Sequence, residues 1–260
     1  MKTWVKVLIG VVVAAILAVT AGPFIYINFI KDDAPDKLSL DDVPSSTDPP
    51  STDAVDVSEQ VSTTTIAPST TSGDASVTTG TGAPAASGVD GSYTVTTGSQ
   101  AGYRVVEVLF GQDTEGVGRT ENVTGSMTIS GTQVTAAEFT VDMTSVTSDE
   151  SRRDNQFQGR IMETDQFPTA TFVITQPIEL GTVPEDGQEI TATATGDLTL
   201  HGVTNSVTLE VTAKRTGDSV AVAGSTDVVF ADYDIANPST NGITTQDHGL
   251  IEFLLVFAHD

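Results

Sequence analysis

Three histidines (His201, His248 and His259) and no cysteine are the chain's whole supply of imidazole bases and soft metal ligands. The histidines are far apart, and none has a second His or Cys at metal-ligand spacing. No metal centre and no cofactor are expected. His201 comes just before Gly202 and reads as a hydrogen-bonding partner that steadies a turn. Asp232-Tyr233-Asp234 and Asp247-His248 could pair an acid with a base or hold Ca²⁺, although loop carboxylates are ordinarily solvated. There is no nucleophile elbow, phosphate loop or dinucleotide fingerprint. The chain therefore reads as a non-enzyme, with no catalytic residue to name. One basic spot, Arg152-Arg153-Asp154, interrupts an acidic region. It reads either as an ion pair with Asp149 or Glu150 or as a contact for an anionic group such as phosphate. Asn122-Val123-Thr124 is a formal glycosylation sequon.

With polar chemistry this sparse, the informative residues are apolar, and their spacing is that of strands. Ile190, Ala192, Ala194, Gly196, Leu198 and Leu200 share one face, and Thr191, Thr193, Thr195, Asp197 and Thr199 the other. After Gly202 the phase moves to Val203, Val207, Leu209, Val211 and Ala213. Two such runs joined by a glycine turn predict a half-buried antiparallel hairpin. The same period predicts strands over 134–143 (Phe139, Val141 and Met143 inward), 170–178 (Phe172, Ile174), 220–230 (Val222, Val228, Phe230) and 250–258 (Ile251, Phe253, Leu255, Phe257). Less regular strands fall near 92–97, 103–110 and 119–130. Only one stretch reads as helical. Ser148-Asp149-Glu150 offers a cap, Phe157, Ile161 and Met162 recur at near-helical spacing, and Pro168 ends the run. The expectation is an all-β domain of eight or more antiparallel strands with one short helix; the uniform meander favours a closed barrel, with a sandwich as the alternative. The small residues Ala192, Ala194 and Gly196 either leave room inside such a barrel or face bulky rings that fill it.

The 260 residues do not form one body. Lys2 and Lys6 precede an apolar run, Val7 to Ile30, broken only by Gly10, Thr20, Gly22, Pro23 and Asn28. About 20 apolar residues cross a bilayer. The basic start and Asp32, Asp33 and Asp36 beyond the run place the N-terminus inside and the rest outside the cell. Trp4 and Tyr26 suit the two interfaces. A cleaved signal peptide ending at Val19-Thr20-Ala21 is the alternative, and would leave the rest secreted. The apolar stretch Phe24-Ile25-Tyr26-Ile27 makes the run long for that, so residues 1–31 read as a single-pass anchor. Residues 32–88 are rich in Ser, Thr, Pro and Asp and hold no aromatic residue. They read as a disordered spacer whose ends would lie roughly 40 Å apart. Residues 89–260 form the folded domain. A net charge of −24 argues against a nucleic-acid partner and against flat docking on anionic lipid.

Four blocks together resemble the YceI-like family over roughly residues 90–260. They are Phe139-Thr-Val-Asp-Met-Thr-Ser-Val146, Arg153-Asp154, Phe167-Pro-Thr-Ala-Thr-Phe172 and, most specifically, Gly196-Asp-Leu-Thr-Leu-His-Gly-Val203. Where family members usually open with a Trp and a His-Ser pair, this chain has Tyr93 and Thr97-Gly98-Ser99. The resemblance implies a lipocalin-like elongated barrel, export from the cytoplasm, and a long-chain isoprenoid lipid or isoprenoid quinone as partner. Each buried CH₂ of such a chain contributes about 0.8 kcal/mol. The expected inner wall is Phe139, Val141, Met143, Phe172, Ile174, Ala192, Ala194, Leu198, Leu200, Phe253 and Leu255. Phe157, Ile161 and Phe167 are expected in a helical lid, and Arg152 and Arg153 at a lipid head group. The competing reading is a non-lipid binding or structural module displayed on a stalk.

Overall fold

The computed structural model describes Trp4 and residues 34–43, 88–109, 111–240 and 242–260. The expected anchor over 1–31, apart from Trp4, lies outside the described residues, as do linker residues 32–33 and 44–87. Among the described residues no helix is long and apolar enough to cross a membrane.

The strands are β1 (Gly91–Val95), β2 (Gln100–Leu109), β3 (Gln112–Thr120), β4 (Val123–Ser130), β5 (Gln133–Asp142), β6 (Thr147–Ser148), β7 (Thr169–Ile174), β8 (Ile178–Glu179), β9 (Glu189–Leu200), β10 (Val203–Thr216), β11 (Ser219–Val229), β12 (Ile243–Thr245) and β13 (His248–His259). Eight of them, in the order β1-β4-β5-β7-β9-β10-β11-β13, close into an antiparallel ring through the β13–β1 pairing. The barrel, not the sandwich, is the form adopted. The expected β9–β10 hairpin is present. Leu200 pairs with Val203 across a two-residue loop in which His201 and Gly202 both have positive φ, 51° and 77°. That is the turn whose twist matches the flanking strands. His201 is thus a turn residue itself and not the last residue of a strand.

The front wall departs from the expected pattern. The region expected as one strand over 119–130 is two, and β3 over 112–120 was not legible. β13 pairs with β2 at Leu250–Leu254 and with β1 at Phe257–His259. Residues 96–99 therefore face only Leu255 and Val256, a bulge that kinks the wall. Two further kinks stand beside it. One falls at 121–122 between β3 and β4. The other falls at Met143–Ser145, a 3-10 turn capped by the Asp142 carboxylate, which accepts from Thr144 N at 2.9 Å. The hydroxyls of Thr120 and Ser145 meet at 2.6 Å across this row.

Beyond the kinks, β2, β3 and β6 continue as a flap that pairs with β13 but not with β7. The gap between β6 and β7 is filled by helix α1 (Ser151–Gln156) and a π turn (Phe157–Ile161). The expected short helix is thus where the sequence places it. Residues 34–43, assigned by composition to the disordered spacer, instead carry a 3-10 turn at Leu40–Asp42 and bury Leu38. Composition missed this because three apolar side chains (Leu38, Leu40 and Val43) find a ready-made apolar surface on the outside of the barrel.

The bulge at 96–99 depends on one hydroxyl. Ser99, 2 % exposed, donates to Thr96 O at 2.8 Å and accepts from Val256 N at 2.9 Å. Ser99→Ala leaves that amide unpaired in a dry site, and is expected to cost about 1–3 kcal/mol of stability. The midpoint of urea unfolding checks it.

Candidate functional site

The barrel interior holds two apolar chambers, one at each end. The chamber beneath the lid has a volume of about 140 Å³ and is walled by Val141, Met143, Leu198, Leu200, Phe157 and Ile161, among others. The chamber toward the opposite end has about 100 Å³ and is walled by Ile174, Ala192, Ala194, Leu255 and Phe257, among others. Phe139, Phe172 and Phe253 line both. Their rings form a septum, with centroids 5.6 Å apart for Phe139–Phe172 and 5.2 Å for Phe139–Phe253. Such spacings are favourable for tilted aromatic pairs.

Glycines on the facing strands make the septum possible. A Cβ on Gly196 would lie 2.6 Å from the Phe172 ring, and one on Gly224 would lie 2.6 Å from the Phe253 ring. The small inner face of β9 therefore does both things the sequence allowed. Gly196 accommodates a ring, while Ala192 and Ala194 face open space.

The lid chamber is capped by stacked aromatics. Tyr103 of β2 lies against Phe157 with centroids 4.9 Å apart and planes 12° apart. A Cβ on Gly118 would strike the Tyr103 ring, and one on Gly116 would approach Arg153 Nε at 2.9 Å. These two glycines explain why β3 lacks an apolar alternation: the strand is a bed for larger neighbours. Burial pushes the Tyr103 phenol well above its usual pKa, so it stays neutral. Arg153 points into the chamber wall, 3.7 Å from Glu107, and also pairs with Asp149. Burial alone would lower its pKa, but Glu107, Asp149 and Tyr103 outweigh that and raise it. Arg152 is exposed and lines neither chamber.

The π turn of the lid is fastened to two neighbouring segments. Gln158 Nε2 donates to Thr144 O at 3.1 Å, and Arg160 donates to Pro238 O at 3.0 Å. Phe167 lines neither chamber. Its ring packs edge-on against His201, centroids 4.6 Å apart, and over Gly202. His201 Nδ1 donates to Tyr233 O at 3.1 Å, and Nε2 lies 3.4 Å from Glu163. The Phe167 and His-Gly blocks thus join the root of the lid to the β9–β10 turn.

His248 pairs with Asp247 at 2.8 Å on the surface, and that contact lowers the Asp247 pKa. Tyr233 is buried between its two aspartates. Among the described residues no three His, Cys, Asp or Glu side chains converge on a point where a metal could sit.

Several wall residues escaped the sequence reading. Tyr103, Val105 and Glu107 sit on a strand whose adjacent valines hide its phase. Ile235 and Pro238 come from a loop with no period at all.

A family model described as the YceI-like domain matches residues 93–257. A UPF0312 protein of Vibrio parahaemolyticus is 32% identical over 102 residues, covering 36% of this chain and 50% of that protein. Protein YceI of Escherichia coli O157:H7 is 39% identical over 80 residues, covering 30% of this chain and 38% of that one. The chain thus spans half or less of the length of these relatives. Among solved structures, a polyisoprenoid binding domain from Saccharophagus degradans, implicated in plant cell wall breakdown, superposes with a TM-score of 0.54. The two are 17% identical, over 65% of this chain and 98% of that one, a likeness of fold.

The septum's dependence on glycine is measurable. Gly224→Ala drives a methyl into the Phe253 ring and is expected to cost about 1–3 kcal/mol. Because the three nearest atoms all belong to that one ring, most of the cost should vanish in a Phe253→Leu background. A double-mutant cycle in urea reads the coupling.

Proposed function

The chain belongs to the YceI-like family, and from that premise we propose that it is an exported, membrane-anchored barrel that holds a long isoprenoid lipid or isoprenoid quinone. The observation that carries the reading is the pair of apolar chambers, one above the other, with three aromatic rings and Leu209 shared between them. A cavity of this order lined by Leu, Ile and Phe stays dry and takes a guest about the size of benzene. Each chamber as it stands thus suits one short branched segment of a chain. A longer chain needs both, and therefore needs the septum to part.

Phe139 is the ring to move, because it is half-buried while Phe172 and Phe253 are buried. Rotating it joins the two chambers without unpacking the wall. The cargo's affinity would come from buried CH₂ groups at about 0.8 kcal/mol each, less the cost of immobilising the chain. Arg153 at the chamber wall supplies a fixed positive charge for a phosphate, or hydrogen-bond donors for a quinone oxygen. Nothing in this reading requires a catalytic group. The polyisoprenoid named for the Saccharophagus degradans domain supports the cargo class, and the apolar run of residues 7–30 supports export and anchoring.

Native mass spectrometry of the chain purified from bacterial membranes tests the proposal. A co-purified apolar species is expected, and organic extraction should release it with a repeating five-carbon pattern in its fragments. A barrel that is empty in every preparation would favour the display-module reading instead. Phe139→Ala is expected to shift the bound population toward longer chains, because it removes the movable part of the septum. The mass distribution of extracted lipid from wild type and variant, expressed side by side, checks this.

A further inference from the structure

β13 is apolar on both faces except at Glu252. Phe253 and Leu255 face the chambers, but Glu252 and Leu254, which point outward, are only 1 % and 0 % exposed. Residues 34–43 lie over them. Leu38 packs on Leu254 and Ala223, with Leu40 and Val43 alongside. Arg104 donates to Pro35 O at 2.6 Å, and Arg119 donates to Asp36 O. The same two guanidinium groups reach the Glu252 carboxylate, at 3.6 and 2.7 Å. A reciprocal cap between Ser39 and Asp42 closes the segment. The direction of the strap is also defined. Its first residues, Ala34 and Pro35, share a hollow with Thr147, Ser148 and Asp149, which lead directly into the lid helix.

The consequence is one of chain length. The apolar run ends at Ile30, and only Lys31, Asp32 and Asp33 separate it from the strap. Four Cα steps reach roughly 14 Å at most. Without the strap the tether would run from Lys31 to Gly88, with ends roughly 40 Å apart as a coil, and an acidic barrel would drift away from anionic headgroups. We propose that the strap presents the lid end of the barrel to the bilayer, so that the lid-end surface is an interaction face whose partner is a phospholipid membrane. This rests on residues 7–30 being an uncleaved anchor and on the barrel carrying a lipid. It supplies what a carrier needs, a mouth that opens at the surface its cargo must leave. Residues 44–87 then do not set the distance from the membrane, because the chain has already docked before they begin.

The absence of cysteine makes the test direct, since one introduced thiol is a unique label. Asn155→Cys on the exposed face of the lid and Thr216→Cys at the opposite end each carry a fluorophore. The full chain is reconstituted in phosphatidylcholine–phosphatidylglycerol vesicles containing a headgroup-labelled quencher lipid. Quenching is expected to be severalfold stronger for the lid label than for the far label. Inserting a flexible Gly-Ser stretch between Asp33 and Ala34, which leaves every strap contact in place, is expected to abolish that difference. Leu38→Asp, which undocks the strap, should do the same. Equal quenching at the two ends, or a difference that survives the insertion, overturns the proposal. A chain that washes off the vesicles in carbonate overturns the anchor on which it rests, and the proposal with it. The lipid cargo is judged separately by the extracted mass, so the two failures are distinguishable.

Discussion

The pairing of β13 on both of its halves is the constraint from which the rest of the molecule follows. One end of the strand bonds to β1 and closes the ring, and the other end bonds to β2 and opens a flap. Both partners run along the same edge, so four residues must be fitted where two would do, and the wall kinks. Backbone amides at such a kink lie in a dry environment and must find partners. Ser99 provides them, and the row continues through the capped turn after Asp142. Because the flap leans away from β7, the barrel has a gap on one side that only a separate element can fill. That element is the lid.

The interior shows how a barrel avoids both collapse and solidity. Eight strands leave a space that side chains can just fill. Here bulky rings and missing side chains are matched in pairs, Phe172 against Gly196 and Phe253 against Gly224. The matched pairs concentrate packing in one layer and leave room above and below it. A septum of rings costs little to hold closed, since tilted aromatic contacts are mildly favourable, and it costs little to part if one ring is less enclosed than its partners. The position of a glycine therefore helps decide where the barrel has room.

Three of the arginines do two jobs. Arg104 and Arg119 sit on the outer wall, where they flank Glu252 and donate to the backbone of residues 35 and 36, and Arg104 also pairs with Glu115 at 2.6 Å. A buried carboxylate without such partners would be costly. Arg153 sits at the mouth, held by Glu107 and Asp149. The overall acidity belongs to the remaining surface and keeps it hydrated.

The sequence by itself determined the back of the barrel. Alternation from Ile190 to Ala213, broken in its apolar phase at Asn205, with a glycine turn favours one hairpin and one register, because a slip of one residue would turn the apolar side chains outward. The same period placed Phe139, Phe172 and Phe253 on inner faces, and the spacing of Phe157 and Ile161 located the lid. Tertiary structure alone decided what was not periodic. β3 could not be read because its Gly116 and Gly118 serve rings and charges from other strands and have no pattern of their own. The separation of the interior into two chambers could not be read because it depends on which rings meet across the barrel, a distance in space that no spacing along the chain encodes. Residues 34–43 looked like spacer because composition averages over a window, whereas docking needs only Leu38 and its two neighbours to meet an apolar surface. One hint was in plain view: apart from Glu252, the run Leu250 to Ala258 is apolar on both faces of its strand, and a strand of that kind must be covered on both sides.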